Sequence, residues 1–150
     1  MERLTVKNKE NIREIDEIGR IVIPLNKRKQ LDINTGDKLE IFISGKNIVL
    51  KRPDVKIHKE IIETIRTVIN DELELDIRVK SIKPDFINKK NYRNHYLRVI
   101  DELGRIVIPL ELRKELEIKE KEKLKICVKD NLIILIKWEM YYKLLSTNAL

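Results

Sequence analysis

The chain has 150 residues, of which 42% are hydrophobic and 38% charged, and its net charge is +7. That gives room for one ordinary domain or two small ones with much surface, and the basic balance favours a polyanionic partner. A single cysteine, Cys127, excludes a disulfide within the chain and a Cys-rich zinc site, and the longest unbroken apolar run, residues 132–136, is far below the ~20 residues of a membrane helix.

In chain order, Met1 to Glu10 is polar and carries no apolar signal-peptide core, so a cytoplasmic protein is expected. Ile12-Arg13-Glu14-Ile15 reads as a short strand. A polar turn ending in Gly19 follows, and glycine supplies the positive φ that a tight turn demands. Ile21-Val22-Ile23 is β-branched and reads as a buried strand. Pro24 ends it and suits the first turn of a short helix near residues 25–31. Strands at 38–43 and 47–51 come next, joined through Ser44-Gly45-Lys46. From Pro53 the pattern changes. Ile57, Ile61, Ile62, Ile65, Val68 and Ile69 recur at helical spacing, and Leu73, Leu75, Ile77 and Val79 alternate with Glu74, Asp76 and Arg78 as in a strand with one buried face. Residues 84–96 are polar, rich in Asn and Lys, and read as a loop.

The first series then returns. Leu97-Arg98-Val99-Ile100 reads as a strand, Gly104 ends a turn, and Ile106-Val107-Ile108 leads to Pro109. A helix near 110–116 and strands at 123–128 and 132–136 complete it, with Lys129-Asp130-Asn131 as the connection. Cys127 takes the place of Phe42 and reads as a buried strand residue. The tail puts Trp138, Tyr141, Tyr142 and Leu145 on one side of a final helix, suited to binding a partner or, as preferred, to covering the module's own apolar surface.

Residues 13–52 align without a gap onto 98–137, and 20 of the 40 positions are identical. Asp16-Glu17-Ile18-Gly19-Arg20-Ile21-Val22-Ile23-Pro24-Leu25 stands against Asp101-Glu102-Leu103-Gly104-Arg105-Ile106-Val107-Ile108-Pro109-Leu110. Duplication of one domain explains this better than a solenoid. The fold expected is mainly β with short helices, an α+β chain of two β-β-α-β-β modules at 10–52 and 98–137. A helix-strand segment at 53–97 joins them, and 138–150 form a helical tail. So short a unit cannot bury its own faces. Each module therefore needs a partner to cover Ile21, Ile23, Leu39 and Ile41, or Ile106, Ile108, Leu124 and Ile126. Pairing within one chain and pairing in a homodimer both meet that need. The intrachain form is preferred, because half-identical copies can specialise as two halves of one barrel.

The repeated block resembles the AbrB/SpoVT/MazE family of swapped-hairpin DNA-binding domains. The match runs through Arg13-x-Ile15-Asp16-Glu17-x-Gly19-Arg20-Ile21-Val22-Ile23-Pro24, then Arg28-Lys29-x-Leu31-x-Ile33 and Gly36-Asp37-Lys38-Leu39. The second copy follows from Arg98 to Pro109 and at Arg113-Lys114-x-Leu116-x-Ile118, but has Lys121-Glu122 in place of Gly36-Asp37, so a differently shaped loop is expected there. The resemblance implies a barrel in which two modules exchange β-hairpins and present arginines to double-stranded DNA. Carried over by position, the DNA-facing set is Arg13, Arg20, Arg28 and Lys29, with Arg98, Arg105, Arg113 and Lys114 in the second copy. Lysine at 29 and 114, where relatives often have arginine, keeps the phosphate attraction and loses the bidentate fork.

On the residues alone, any one of these cations reads equally well as a solvated surface charge. Retention of all four positions in both copies favours a shared ligand, and arginine's planar fork suits phosphates and guanine edges. Asp16-Glu17 and Asp101-Glu102 could orient Arg20 or Arg105, cap a turn or deter wrong contacts, with turn chemistry favoured. No enzyme is expected, and no cofactor. His58 and His95 stand in no metal-ligand spacing and read as surface residues, and no phosphate loop or nucleophile elbow appears. The expected function is a bacterial, nucleoid-associated transcription regulator. The alternatives are an antitoxin that binds DNA and also neutralises a toxin protein, and an assembly module that uses the fold only to oligomerise.

Overall fold

The computed structural model describes residues 11–57, 63–65, 67–68 and 93–139. The first copy folds as β1 (Ile12–Glu14), β2 (Arg20–Val22), α1 (Leu25–Gln30), β3 (Lys38–Ser44) and β4 (Asn47–Lys51). The second folds as β5 (Arg93–Val99), β6 (Arg105–Val107), α2 (Leu110–Glu115), β7 (Lys123–Lys129) and β8 (Leu132–Lys137). Residues 63–65 and 67–68 are helical, and Ile65 and Val68 are buried, as the apolar spacing between the copies requires. The strand expected at 73–79, His58 and the tail beyond Glu139 lie outside the described residues.

Two sheets form. One has six strands in the order β1-β7-β8-β4-β3-β5, and the other is the ribbon β2-β6. Every strand that precedes a helix pairs with the opposite copy. β1 runs antiparallel to β7, with Arg13 opposite Leu124. β5 runs antiparallel to β3, with Arg98 opposite Leu39. In the ribbon Ile21 faces Ile106. The β1-turn-β2 hairpin thus lies on the second copy and the β5-turn-β6 hairpin on the first. This is hairpin exchange carried out within one chain. β4 and β8 join the halves at the centre of the large sheet, with Val49 opposite Ile134.

The expected barrel does not close. β1 and β5 are the two edges of the six-stranded sheet and do not pair with each other. The chain leaves each edge at Ile15 or Ile100 and turns into the ribbon, so β2 and β6 cap one face of the open sheet. Ile21, Ile23, Ile106 and Ile108 from the ribbon side share one core with Leu39, Ile41, Leu124 and Ile126, all essentially inaccessible. Burying each such side chain stabilises by roughly 1.5–3 kcal/mol. The opposite face of the sheet carries Phe42, Val49, Ile134 and Cys127 as a row of cross-strand neighbours, also fully buried. The Thr64 hydroxyl lies 3.4 Å from the Asp130 carboxylate and brings the helical residues of the connecting segment to the β7–β8 turn.

A second correction concerns residues 93–96, which are strand rather than loop. β3 offers an edge whose peptide groups need partners, and this polar stretch supplies them, with Ile43 opposite Arg93 after a register irregularity. His95 therefore stands on β5, where it stacks on Phe42 with ring centroids 4.5 Å apart and an interplanar angle of 9°. Its Nδ1 is 3.7 Å from the Glu40 carboxylate, which also pairs with Lys51 at 3.3 Å.

The helix ends are built alike in both copies. The Ile33 N–H donates to the Arg28 carbonyl and the Ile118 N–H to the Arg113 carbonyl, each at 2.8 Å. Asp32 at φ 56° and Glu117 at φ 55° make the left-handed turn between. Arg52 and Lys137, at equivalent positions, donate to the carbonyls of 31 and 32 and of 116 and 117 and so neutralise the negative helix ends.

The loop at Lys121-Glu122 keeps the shape of Gly36-Asp37, contrary to expectation. Lys121 adopts φ 67° where Gly36 has φ 89°. The Lys121 N–H reaches the Ile15 carbonyl at 2.7 Å as the Gly36 N–H reaches that of Ile100 at 2.9 Å. Glu122 accepts from the Lys119 N–H as Asp37 accepts from Asn34. Lysine bears the cost of a left-handed backbone that glycine avoids. Lys121→Gly is therefore expected to raise unfolding stability by up to about 1 kcal/mol, read as a higher urea midpoint at unchanged slope.

Candidate nucleic-acid interface

The ribbon positions the first pair of arginines. Its register sets Arg20 opposite Val107 and Val22 opposite Arg105. Ile21 and Ile106 point into the core, so by strand alternation Arg20, Val22, Arg105 and Val107 share the outer face. Arg20 and Arg105 are diagonal neighbours there, about 7–8 Å apart at Cα.

Each of the two is fixed by the turn before it. Asp16 Oδ1 accepts from the N–H groups of Ile18 at 3.0 Å and Arg20 at 2.7 Å, and its Oδ2 takes the Arg20 Nε at 2.6 Å. Asp101 repeats this with Leu103, Arg105 N–H and Arg105 Nε at 2.9, 2.8 and 2.7 Å. The first of the acidic pair is thus both a turn former and an arginine clamp. The recorded contact engages Nε in both clamps. Partial burial pushes the Asp16 carboxyl up, but the Arg20 and Ile18 hydrogen bonds and the Arg20 charge outweigh it and hold the carboxyl below the ordinary value. Asp101 is lowered in the same way, with Arg105 and Leu103 overcoming desolvation. A depressed folded-state pKa contributes stability above the ordinary carboxylate value and loses it as pH falls through the folded one. Stability is expected to drop in acid, below about pH 4. Asp16→Asn with Asp101→Asn should flatten that limb in urea titrations at pH 6 and pH 3.

The helices supply the second pair, and each reaches across to the other copy. The Arg28 Nε donates to the Ile23 carbonyl and the Arg113 Nε to that of Ile108, both at 2.8 Å. A Cβ at Gly104 would stand 2.5 Å from the Arg28 guanidinium, and one at Gly19 would stand 2.5 Å from that of Arg113. Arg113 Nη2 also donates to the Ile18 carbonyl at 3.3 Å. Arg28 therefore lies on the turn that fixes Arg105, and Arg113 on the turn that fixes Arg20. Glycine serves twice at these turns, by its positive φ and by leaving room for a guanidinium from the opposite copy.

Lys29 and Lys114 follow on the exposed sides of the helices. Arg13 and Arg98 lie opposite the core residues Leu124 and Leu39, which places them on the sheet face that the ribbon covers, at its two edges. Arg98 also sits over the Tyr96 ring, 5.4 Å from its centroid. The structure thus sets Arg28 against the turn before Arg105 and Arg113 against the turn before Arg20, while Arg13 and Arg98 stand at the sheet edges and Lys29 and Lys114 on the helices. Ile18, Leu103, Leu25 and Leu110 are about half exposed on the same turns and helix starts and give the charged patch an apolar rim. The reach of Arg28 and Arg113 onto the opposite turns is not readable from residue type, although the two retained glycines mark where it happens. Among the described residues no cluster of His, Cys, Asp or Glu could hold a metal, and no helix is long and apolar enough to cross a membrane.

Exchanged hairpins, paired arginine clamps and cross-copy straps define a swapped-hairpin module. Residues 97–139 match the family described as "Antidote-toxin recognition MazE, bacterial antitoxin", and they form an AbrB/MazE-type swapped-hairpin domain. The chain is similar to two Bacillus subtilis (strain 168) proteins over 41 residues each. It is 56% identical to the transition state regulatory protein AbrB and 46% identical to Abh, whose name marks it as a candidate transition state regulator. Each match spans 27% of this chain and less than half of the relative, 43% of AbrB and 45% of Abh. The solution structure of PHS018 from Pyrococcus horikoshii covers 83% of both chains at 20% identity and a TM-score of 0.39.

Proposed function

We propose that the chain is a non-enzymatic transcription regulator of the AbrB type, acting on bacterial promoter DNA in the cytoplasm. One observation supports the reading: Arg20 and Arg105 share the outer face of the β2–β6 ribbon, and Arg28 and Arg113 lie against the turns beside it. A duplex offers one phosphate charge per about 1.7 Å of helix axis, and its major groove admits a two-stranded β-ribbon. The outer guanidinium nitrogens of Arg20 and Arg105 are the donors best placed for base edges. Arg28, Arg113, Lys29, Lys114, Arg13 and Arg98 are placed to hold the backbone. Few side chains reach bases from so small a ribbon, so specificity leans on groove shape and deformability.

The test is a binding titration with the chain's own upstream DNA, paired with thermal melting. Arg20→Ala with Arg105→Ala is expected to weaken binding by at least tenfold while the melting temperature moves little, since neither side chain belongs to the core. Unchanged affinity in the double variant would remove the ribbon from the site.

The family description of residues 97–139 favours a second reading, an antitoxin that also neutralises a toxin protein. Against it, the first module is followed by patterned sequence and a second module rather than a flexible extension. A toxin gene beside this one, and a stable complex between the two products, would reverse the preference.

A further inference from the structure

We infer that the chain engages DNA in one fixed orientation, with the α1 half holding the backbone more strongly than the α2 half. This rests on the DNA-binding reading and adds to it a direction. A swapped-hairpin dimer of identical chains has two equal halves by symmetry, and its site is accordingly palindromic. Here both halves belong to one chain, and nothing obliges them to match.

The scaffold has stayed symmetric. Arg28 meets Gly104, and Arg113 meets Gly19, at the same 2.5 Å from a would-be Cβ. The Asp16–Arg20 and Asp101–Arg105 clamps agree to about 0.1 Å. The two helices therefore meet a straight duplex in equivalent poses. Their surfaces have not stayed symmetric. α1 reads Leu-Asn-Lys-Arg-Lys-Gln, with three cations and no acid. α2 reads Leu-Glu-Leu-Arg-Lys-Glu, with two cations and two acids. Asn26 and Gln30 are exposed, and so are Glu111 and Glu115 at the matching positions. Lys27 is half-buried beside the patch, whereas its counterpart Leu112 is fully buried in the core.

Each of these acids lies within one helical turn of Arg113 and Lys114. That is inside the screening length of about 8–10 Å at ordinary salt. Glu111 opposes the phosphates that Arg113 and Lys114 attract, while Asn26 does not. A duplex with one stiff or narrow-grooved half then docks with that half on α1.

The experiment begins with duplexes selected by the full-length chain from a random-sequence pool. A non-palindromic consensus is expected, with one half more constrained. Glu17→Cys and Glu102→Cys, exposed at matching positions of the two turns, then carry a tethered iron chelate for DNA cleavage, since the native Cys127 is fully buried. On the selected duplex each labelled chain should cut one flank, and the two chains should cut opposite flanks. Lys29→Ala should lower the slope of log affinity against log salt by about 1, and Lys114→Ala by clearly less. Glu111→Gln should raise affinity and bring the two lysine effects closer together. Cleavage of both flanks equally by both labelled chains, or equal slopes for the two lysine variants, would overturn the fixed orientation. If the chain selects no duplex, the DNA reading itself fails, and if Arg20→Ala with Arg105→Ala leaves binding unchanged, the ribbon leaves the site. If that pair weakens binding and cleavage is symmetric, only the orientation fails.

Discussion

Raising salt from 50 to 200 mM is expected to weaken DNA binding by about 10³-fold, at the lower end of the roughly 10³–10⁵ range for proteins that make 6–10 phosphate contacts. Eight cations occupy the candidate surface, but Arg20 and Arg105 each form an ion pair with a neighbouring aspartate at 2.6 and 2.7 Å. A guanidinium–carboxylate pair has no net charge and displaces few counterions. The slope is therefore set mainly by Arg13, Arg28, Lys29, Arg98, Arg113 and Lys114. Arg20 and Arg105 act on base preference instead, because their outer nitrogens still form hydrogen bonds. Titrations at several salt concentrations check both halves of the claim. Arg28→Ala should flatten the slope, whereas Arg20→Ala should lower affinity with a smaller change of slope. A slope near zero for the native chain would remove the electrostatic surface altogether.

The split between these roles shows what was legible in the residues and what was not. The repeat, the element order and the eight basic positions follow from identities at an offset of 85 and from β-branched runs beside glycine turns. Which strand pairs with which does not follow. Alternation along Lys38–Ser44 reports a buried face, and in β3 both faces are buried, so the pattern cannot name a partner. The exchange of β1 and β5 depends on two modules being near each other, which the chain shows only once folded. The Arg93–Tyr96 stretch escapes for the opposite reason. Its polar side chains resemble a loop, while its backbone satisfies an edge that β3 leaves open. Open-sheet closure by a ribbon, in place of a barrel, depends on β1 and β2 being three residues each, too short to wrap the sheet. Arg52 and Lys137 carried a usable signal, since both copies keep a cation at the last aligned position. Its meaning as a helix-end cap needs the spatial return of β4 and β8 past the helix termini.

Ile106→Ala is expected to cost about 2–5 kcal/mol, the usual range for truncating a buried aliphatic side chain, and to destabilise both copies together. Ile106 is 1% exposed, faces Ile21 across the ribbon, and belongs to a core drawn from both repeats. Loss of that size is a large share of the roughly 5–15 kcal/mol that holds a domain together. In a chain of two independent modules the loss would fall on residues 98–137 alone, and two transitions would separate. Here β1 rests on β7 and β5 on β3, so removing either copy strips an edge strand and half the ribbon from the other. Urea unfolding followed at Trp138 and by amide exchange at Leu39 and Ile41 distinguishes the cases. Coincident transitions, both shifted to lower urea, are the expected result. Protection of Leu39 and Ile41 that outlasts the change at Trp138 would mean that the first copy stands without the second. The same interlock predicts that the isolated segment 10–52 will not fold as a monomer. Its β3 edge and the inner face of Ile21 and Ile23 can then be covered only by a second molecule of the segment.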